Sequence, residues 1–299
     1  MSMQGHKKDE RWTAADNYVL KHLHPEESQL YEHVRFATQL AESKDIPSIE
    51  VSLLQGKFLM TQCQMINAKH VLEVGTLGGI SAIFQASAGP EIKVTTIEVD
   101  EHHKAVAEEA IAHAGLSDRI EVLLGAGIDV LPKIRKEVDS GQRPKFDFVF
   151  IDADKPNNLN YYNEALAMCR SRACIIVDNV VRGGLLADDS AAENPGVKGA
   201  REVIGAVGTD ARLLGTTVLQ TVGEKGYDGF LNNLFAHVSS AVNDKESILQ
   251  SIQNPDLICL SACPALSRLK PTGSFRTQDA EVGILNICLD ARCALGNKL

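Results

Sequence analysis

From residue 70 onward the chain alternates short apolar runs with stretches of helical periodicity: HVLEVG, ISAIFQASA, KVTTIEVD, HKAVAEEAIAHAG, RIEVLLG, FDFVFIDAD, LNYYNEALAMC and CIIVDN. Runs such as FVFI and CIIV are too continuously apolar for a strand with one wet face, so helices must cover both sides of the sheet. The alternation predicts βαβ units and a mainly parallel sheet, an α/β fold of Rossmann-like type. Further on, TTVLQTVGEKGYDGFLNNLF reads as two strands around a turn at GEKGYDG, an antiparallel hairpin at the sheet edge.

The flanks read differently. Residues 12 to 67 carry apolar positions at helical spacing, as in YVLKHL and LYEHVRFATQLA, punctuated by Pro25 and Pro47. Ser48 is the expected cap of a third helix containing VSLLQGKFLMTQCQMI, and Trp12, the single tryptophan, is assigned to core packing. Between CIIVDN and the hairpin lie a Gly- and Asp-rich loop, GGLLADDSAAENPGVKG, and a helix around AREVIGAVG. Residues 236–299 balance six acidic against six basic residues and show no sustained periodicity. Three parts follow: an N-terminal helical cap segment over 1–69, an α/β domain over 70–235, and a poorly ordered C-terminal extension over 236–299.

Charge and composition narrow the function. A net charge of −9 over 299 residues argues against general nucleic-acid binding, which relies on Lys and Arg meeting phosphates. There is no secretory h-region and no apolar run long enough to span a bilayer. Seven cysteines without a compact framework point to reduced thiols and a cytoplasmic setting. Cys259-x₃-Cys263 and Cys288-x₄-Cys293 lack the His partners expected of a zinc clamp.

The segment HVLEVGTLGGISAIF sets Gly75 and Gly79 between a strand and a helix, where backbone can approach a ligand. Leu77 occupies the middle glycine of the dinucleotide fingerprint, which disfavours a nicotinamide-dependent oxidoreductase. Glu73, two residues before Gly75, suits a ligand with a cationic amine, and Glu98 at the next strand end can accept ribose hydroxyls. Amine and ribose without phosphate describe S-adenosylmethionine; Gly125 and Ala126 leave room for its adenine.

In an open parallel sheet, ligands bind beyond the carboxyl ends of the strands. Asp152 closes one strand, and Asp178 with Asn179 closes the next. If those strands are neighbours, two carboxylates and an amide form a hard oxygen set suited to Mg²⁺. Lys155, three residues past Asp152, is then placed to act as general base toward a hydroxyl. Asp154 is read as a cap or a ligand-orienting residue, and His102 and His103 as solvated.

Taken together, VSLLQGKFL, INAKHVLEVGTLGGIS, TTIEVD, LLGAGIDVLP, FDFVFIDADK, IIVDN and GEKGYDGF resemble the cation-dependent, S-adenosylmethionine-dependent O-methyltransferases of the catechol and caffeoyl-CoA type. The resemblance runs from about Ile46 to Phe230 and implies a seven-stranded sheet with an antiparallel edge. It implies metal ligation by Asp152, Asp178 and Asn179, and proton abstraction by Lys155. Cofactor contacts are implied for Val51, Glu73, Gly75, Ser81, Glu98, Ala126 and Asp152, with a catechol-like phenolic acceptor and a homodimer. Leu77 and Ala153 depart from the family pattern around the adenine, and residues 236–299 have no counterpart there. The rival from another class is a non-catalytic S-adenosylmethionine-binding protein of the same fold.

Overall fold

Along β4 (Phe146–Ile151), from Phe148 onward, successive side chains enter opposite cores. Phe148 and Phe150 join the cluster holding Leu59, Phe84 and Ile111, whereas Val149 and Ile151 join Leu131, Tyr161 and Val203. Both faces are covered, which is why the run is apolar at nearly every position. Each buried ring contributes roughly 1.5–3 kcal/mol. The one acid in the run, Asp147, is buried at the opposite end of the sheet from the ligand crevice. It accepts the Lys69 and His70 N–H groups at 2.6 and 2.7 Å and pairs with Arg170.

The structure, a computed structural model, describes residues 9–23 and 28–236. The extension expected after residue 236, with both its cysteine pairs, lies outside the described residues. β1 (His70–Val74), β2 (Lys93–Glu98), β3 (Ile120–Leu124), β4 and β5 (Cys169–Val177) are parallel. β7 (Gly226–Phe235) runs antiparallel beside β5, and β6 (Leu213–Gly223) closes the edge. The order is β3-β2-β1-β4-β5-β7-β6, the seven-stranded sheet with an antiparallel edge that the sequence predicts. On one face lie α2 (Gln29–Ser43), α3 (Leu53–Met65), α4 (Ile80–Ala86) and α5 (Glu101–His113). On the other lie α6 (Gly127–Asp139), α7 (Asn158–Met168) and α8 (Pro195–Val207). Cys63, Cys169 and Cys174 are buried free thiols, as expected. No helix among the described residues is long and apolar enough to cross a membrane.

Four local readings need correction. Ser52, not Ser48, caps α3, through a reciprocal box in which Ser52 Oγ accepts the Gln55 N–H and Gln55 Oε1 accepts the Ser52 N–H. The hairpin turns on Glu224 and Lys225 alone, so Tyr227, Asp228 and Gly229 belong to β7 and not to the loop. The Gly- and Asp-rich loop is shorter than read, because Asn194 caps α8 and Pro195 takes its first position, where a missing N–H costs nothing. Trp12 sits half-buried on α1 (Glu10–Leu23), a helix that buries none of its residues, so it does not join the core.

Candidate active site

The strand order reverses at β1, between β2 and β4, and such a reversal opens a crevice at the carboxyl ends. There the glycine turn presses against the end of β4. Gly75 has φ +101°, and a Cβ on it would lie 2.1 Å from the Asp152 carbonyl oxygen. The next backbone groups are claimed by Glu98. Its Oε2 accepts the N–H of Thr76 (3.2 Å) and Leu77 (2.7 Å), and its Oε1 accepts those of Val99 and Asp100 (3.0 Å each). Donors that would face a pyrophosphate in a dinucleotide fold are therefore held by a carboxylate, which repels phosphate as well.

Beneath the turn, Glu73 is fully buried. Its Oε1 accepts from Gln85 Nε2 at 2.6 Å, its Oε2 from Thr96 Oγ1 at 2.7 Å, and Ser81 bonds to it as well. Burial outweighs these bonds and pushes its pKa up to about 7. With an unfolded value near 4.5, the unfolded chain ionises first, so stability falls as pH rises from about 4.5 to 7 and then levels off. The cofactor-free protein is expected to lose on the order of 3 kcal/mol across that window from this group. Glu73→Gln, whose amide can still meet Gln85 and Thr96, should flatten the difference. Urea titrations at pH 5 and pH 8 check this; an unchanged pH dependence in the variant would refute it.

One cavity of about 670 Å³ brings together Val51, Gly75, Ser81, Glu98, Ala126, Asp152, Lys155 and Asn179 on its wall, with Gly125 and Asp154. Glu73 and Gly79 are not on that wall. Glu73 stands behind Ser81, and Gly79 caps α4 with φ +80°. Asp178 is 3% exposed and lies just beneath the surface that Asn179 presents. Among the further wall residues, His103 corrects the expectation that it is solvated, and Tyr161 was not singled out by the sequence. His103 turns inward, its Nδ1 3.7 Å from Glu98 Oε1, and Tyr161 reaches across from α7 to bond Asp154. A hydrophilic run such as DEHH gives no sign of which histidine faces inward.

β4 and β5 are neighbours in parallel register, Ile151 opposite Val177, so Asp152 and Asp178 follow directly at adjacent strand ends. The Asp178 N–H binds the Ile151 carbonyl at 2.9 Å, and Asn179 is left-handed at φ +57°. Burial, then the charge of Asp152, holds the Asp178 carboxyl well above the ordinary range. The Lys155 Nζ is 2.5 Å from Asp152 Oδ1, both side chains mostly covered. α8 supports that lysine closely, since a Cβ on Gly199 would lie 2.1 Å from the Lys155 carbonyl oxygen. Among the described residues no group of three or more His, Cys, Asp or Glu converges on a metal position. The candidate set here is two carboxylates and an amide, a donor chemistry that fits a hard cation such as Mg²⁺ and not zinc.

A mainly parallel seven-stranded sheet with this crevice at its switch point is the fold of a Rossmann-like, class I methyltransferase. The O-methyltransferase from Bacillus cereus in complex with SAH superposes with a TM-score of 0.69 at 40% identity, over 76% of this chain and 99% of that one. TomG from Streptomyces achromogenes, solved in complex with SAM, gives 0.70 at 34% identity over 77% and 100%. By sequence, O-methyltransferase imqG of Aspergillus flavus is 44% identical over 76% of this chain and 92% of its own. The catechol O-methyltransferase of Niastella koreensis is 40% identical over 72% and 94%. A family model described as O-methyltransferase matches residues 22–221, and this chain belongs to the O-methyltransferase family.

Proposed function

We propose that this O-methyltransferase transfers the methyl group of S-adenosylmethionine to a hydroxyl of a catechol-like phenolic acceptor, with a divalent cation at the ends of β4 and β5. The observation that carries the cofactor reading is Glu98, whose carboxylate occupies the N–H groups of Thr76 and Leu77 and so suits a nucleoside cofactor without phosphates. The acceptor class is supported by relatives named catechol O-methyltransferase.

When bound, the cofactor supplies an electrophilic methyl on sulfonium and the cation lowers the cost of ionising the acceptor hydroxyl. Asp152, Asp178 and Asn179 would hold the cation. Val51, Gly75, Ser81, Glu98, Ala126 and Asp152 would hold the cofactor, with Glu73 acting through Ser81. As the neutral amine, Lys155 Nζ takes the hydroxyl proton, held in place by Asp152 and backed by α8. The acceptor oxygen then forms its bond to the methyl carbon as the carbon–sulfur bond breaks and the thioether leaves. Neutral thioether and methylated phenol are released, and the proton on Lys155 returns to solvent. The wall of the cavity keeps the reacting oxygen aligned, which is the main contribution of the rigid strand ends.

Isothermal titration is expected to show binding of S-adenosylmethionine and none of NAD. Labelled cofactor should methylate catechol in Mg²⁺, with turnover lost in EDTA and restored by added Mg²⁺. Binding of NAD in place of S-adenosylmethionine would overturn the cofactor assignment; turnover indifferent to EDTA would overturn the cation. Tight cofactor binding without turnover of any phenol would favour a binding protein of the same fold.

A further inference from the structure

Tyr227-Asp228-Gly229 has no part in the chemistry above, yet the chain packs unusually tightly against it. After Val177 the backbone leaves the sheet through Asp178–Gly184, where Asn179 (φ +57°) and Arg182 (φ +56°) are left-handed without being glycine, followed by Gly183 and Gly184 at +64° and +93°. A left-handed non-glycine residue, Arg182 above all, persists only where its surroundings hold it. Asp228 is what holds this segment. Its Oδ1 accepts the N–H of Val181 (3.0 Å), Arg182 (2.9 Å) and Gly229 (3.0 Å). The Val180 N–H binds the Gly229 carbonyl at 3.1 Å. No side chain fits at 229, because a Cβ there would lie 2.6 Å from Val181 Cγ2 and 2.9 Å from the Leu219 carbonyl.

We infer that Asp228 is a positioning residue for the cation site: by clamping the Val181 and Arg182 amides it holds Asp178 and Asn179 at the end of β5 in the orientation that binds a divalent cation. This rests on the cation reading given above. The clamp needs an acceptor oxygen at Oδ1 and no more. The other oxygen, Oδ2, is buried without a hydrogen-bond partner, and the positive charge lying nearest is that of Arg182, which packs against Gly196. The effect is local, because Asp228 lies off the wall of the cofactor cavity.

The test is Mn²⁺ binding to the full chain, read by electron paramagnetic resonance, beside calorimetric titration of S-adenosylmethionine. Asp228→Ala is expected to weaken Mn²⁺ by ~10–100-fold, the usual cost of losing a group that orients metal ligands, with cofactor affinity within about twofold. Asp228→Asn keeps an oxygen at Oδ1 and should restore Mn²⁺ binding to within about threefold of the parent. Should the alanine variant fail to fold, Asp228→Ser, whose shorter side chain falls short of the Val181 and Arg182 amides, is expected to give the same split between cation and cofactor. Unchanged Mn²⁺ binding in Asp228→Ala, or equal losses of cation and cofactor, would overturn the inference. So would an asparagine variant as weak as the alanine one, since charge and not the clamp would then be at work. A parent protein that binds no Mn²⁺ at all would instead sink the cation reading itself, and this inference with it.

Discussion

Lys155→Met is expected to lower kcat by ~10²–10⁴, the range that a positioned general base contributes, while leaving S-adenosylmethionine affinity nearly unchanged. Methionine keeps the length and apolar stem of the lysine side chain, which is 14% exposed, and the close approach of Gly199 to the Lys155 backbone is untouched. What disappears is the amine 2.5 Å from Asp152. Removing a positive charge from beside Asp152 and Asp178 also removes a competitor for any cation there, so Mg²⁺ affinity should rise slightly. The loss would then belong to proton transfer and not to a missing ion. Single-turnover rates with catechol between pH 7 and pH 10 make the check: the variant should recover part of its rate as the acceptor ionises in solution. A loss of less than about tenfold would mean that the lysine is not the base.

Asp178→Asn is expected to part stability from activity. Asp178 is buried, pressed by the charge of Asp152, and its Oδ1 accepts the Asn179 N–H at 2.5 Å and the Asn179 Nδ2 at 3.2 Å. Asparagine has the same shape and keeps an oxygen for those two bonds, so the substitution removes charge and little else. In EDTA the variant should melt higher than the parent, by ~2–4 °C for each kcal/mol relieved in a unit of this size. Turnover should fall by roughly 10²–10³, because Lewis-acid stabilisation is worth several kcal/mol. Saturating Mg²⁺ should raise the melting temperature of the parent, since a ligand bound only by the folded state stabilises it, and should leave the variant where it was. Scanning calorimetry of both proteins in EDTA and in Mg²⁺ makes the comparison. A variant that melts lower than the parent in EDTA, or that Mg²⁺ stabilises equally, would exclude Asp178 from the ion site.

Much of the architecture was legible because strand and helix differ in hydrophobic period. FVFI reads as a doubly covered strand because both faces of β4 are covered. The charged strand ends stood out for the same reason: Asp152 and Asp178 interrupt apolar runs abruptly, and parallel neighbours then bring them together. Errors arose where a local signal was ambiguous. Ser48 and Ser52 are both good caps, and only Ser52 has a glutamine three residues on to complete the reciprocal box. In GEKGYDG the glycines and Asp228 are all turn-forming residue types, yet Asp228 and Gly229 serve contacts with a distant segment and not a turn.

The amino-acid order alone determined the βαβ alternation, the glycine turn without its middle glycine, and the two acids that end adjacent strands, since each follows from residue type and short-range spacing. Tertiary structure alone decided that Glu98 takes the N–H groups of Thr76 and Leu77, that Glu73 stands behind Ser81, that His103 faces inward, and that Asp228 clamps the segment after β5. All four depend on which strands lie side by side and on where tight packing leaves room for a side chain. That information is shared between segments far apart in the chain and is carried by neither one alone.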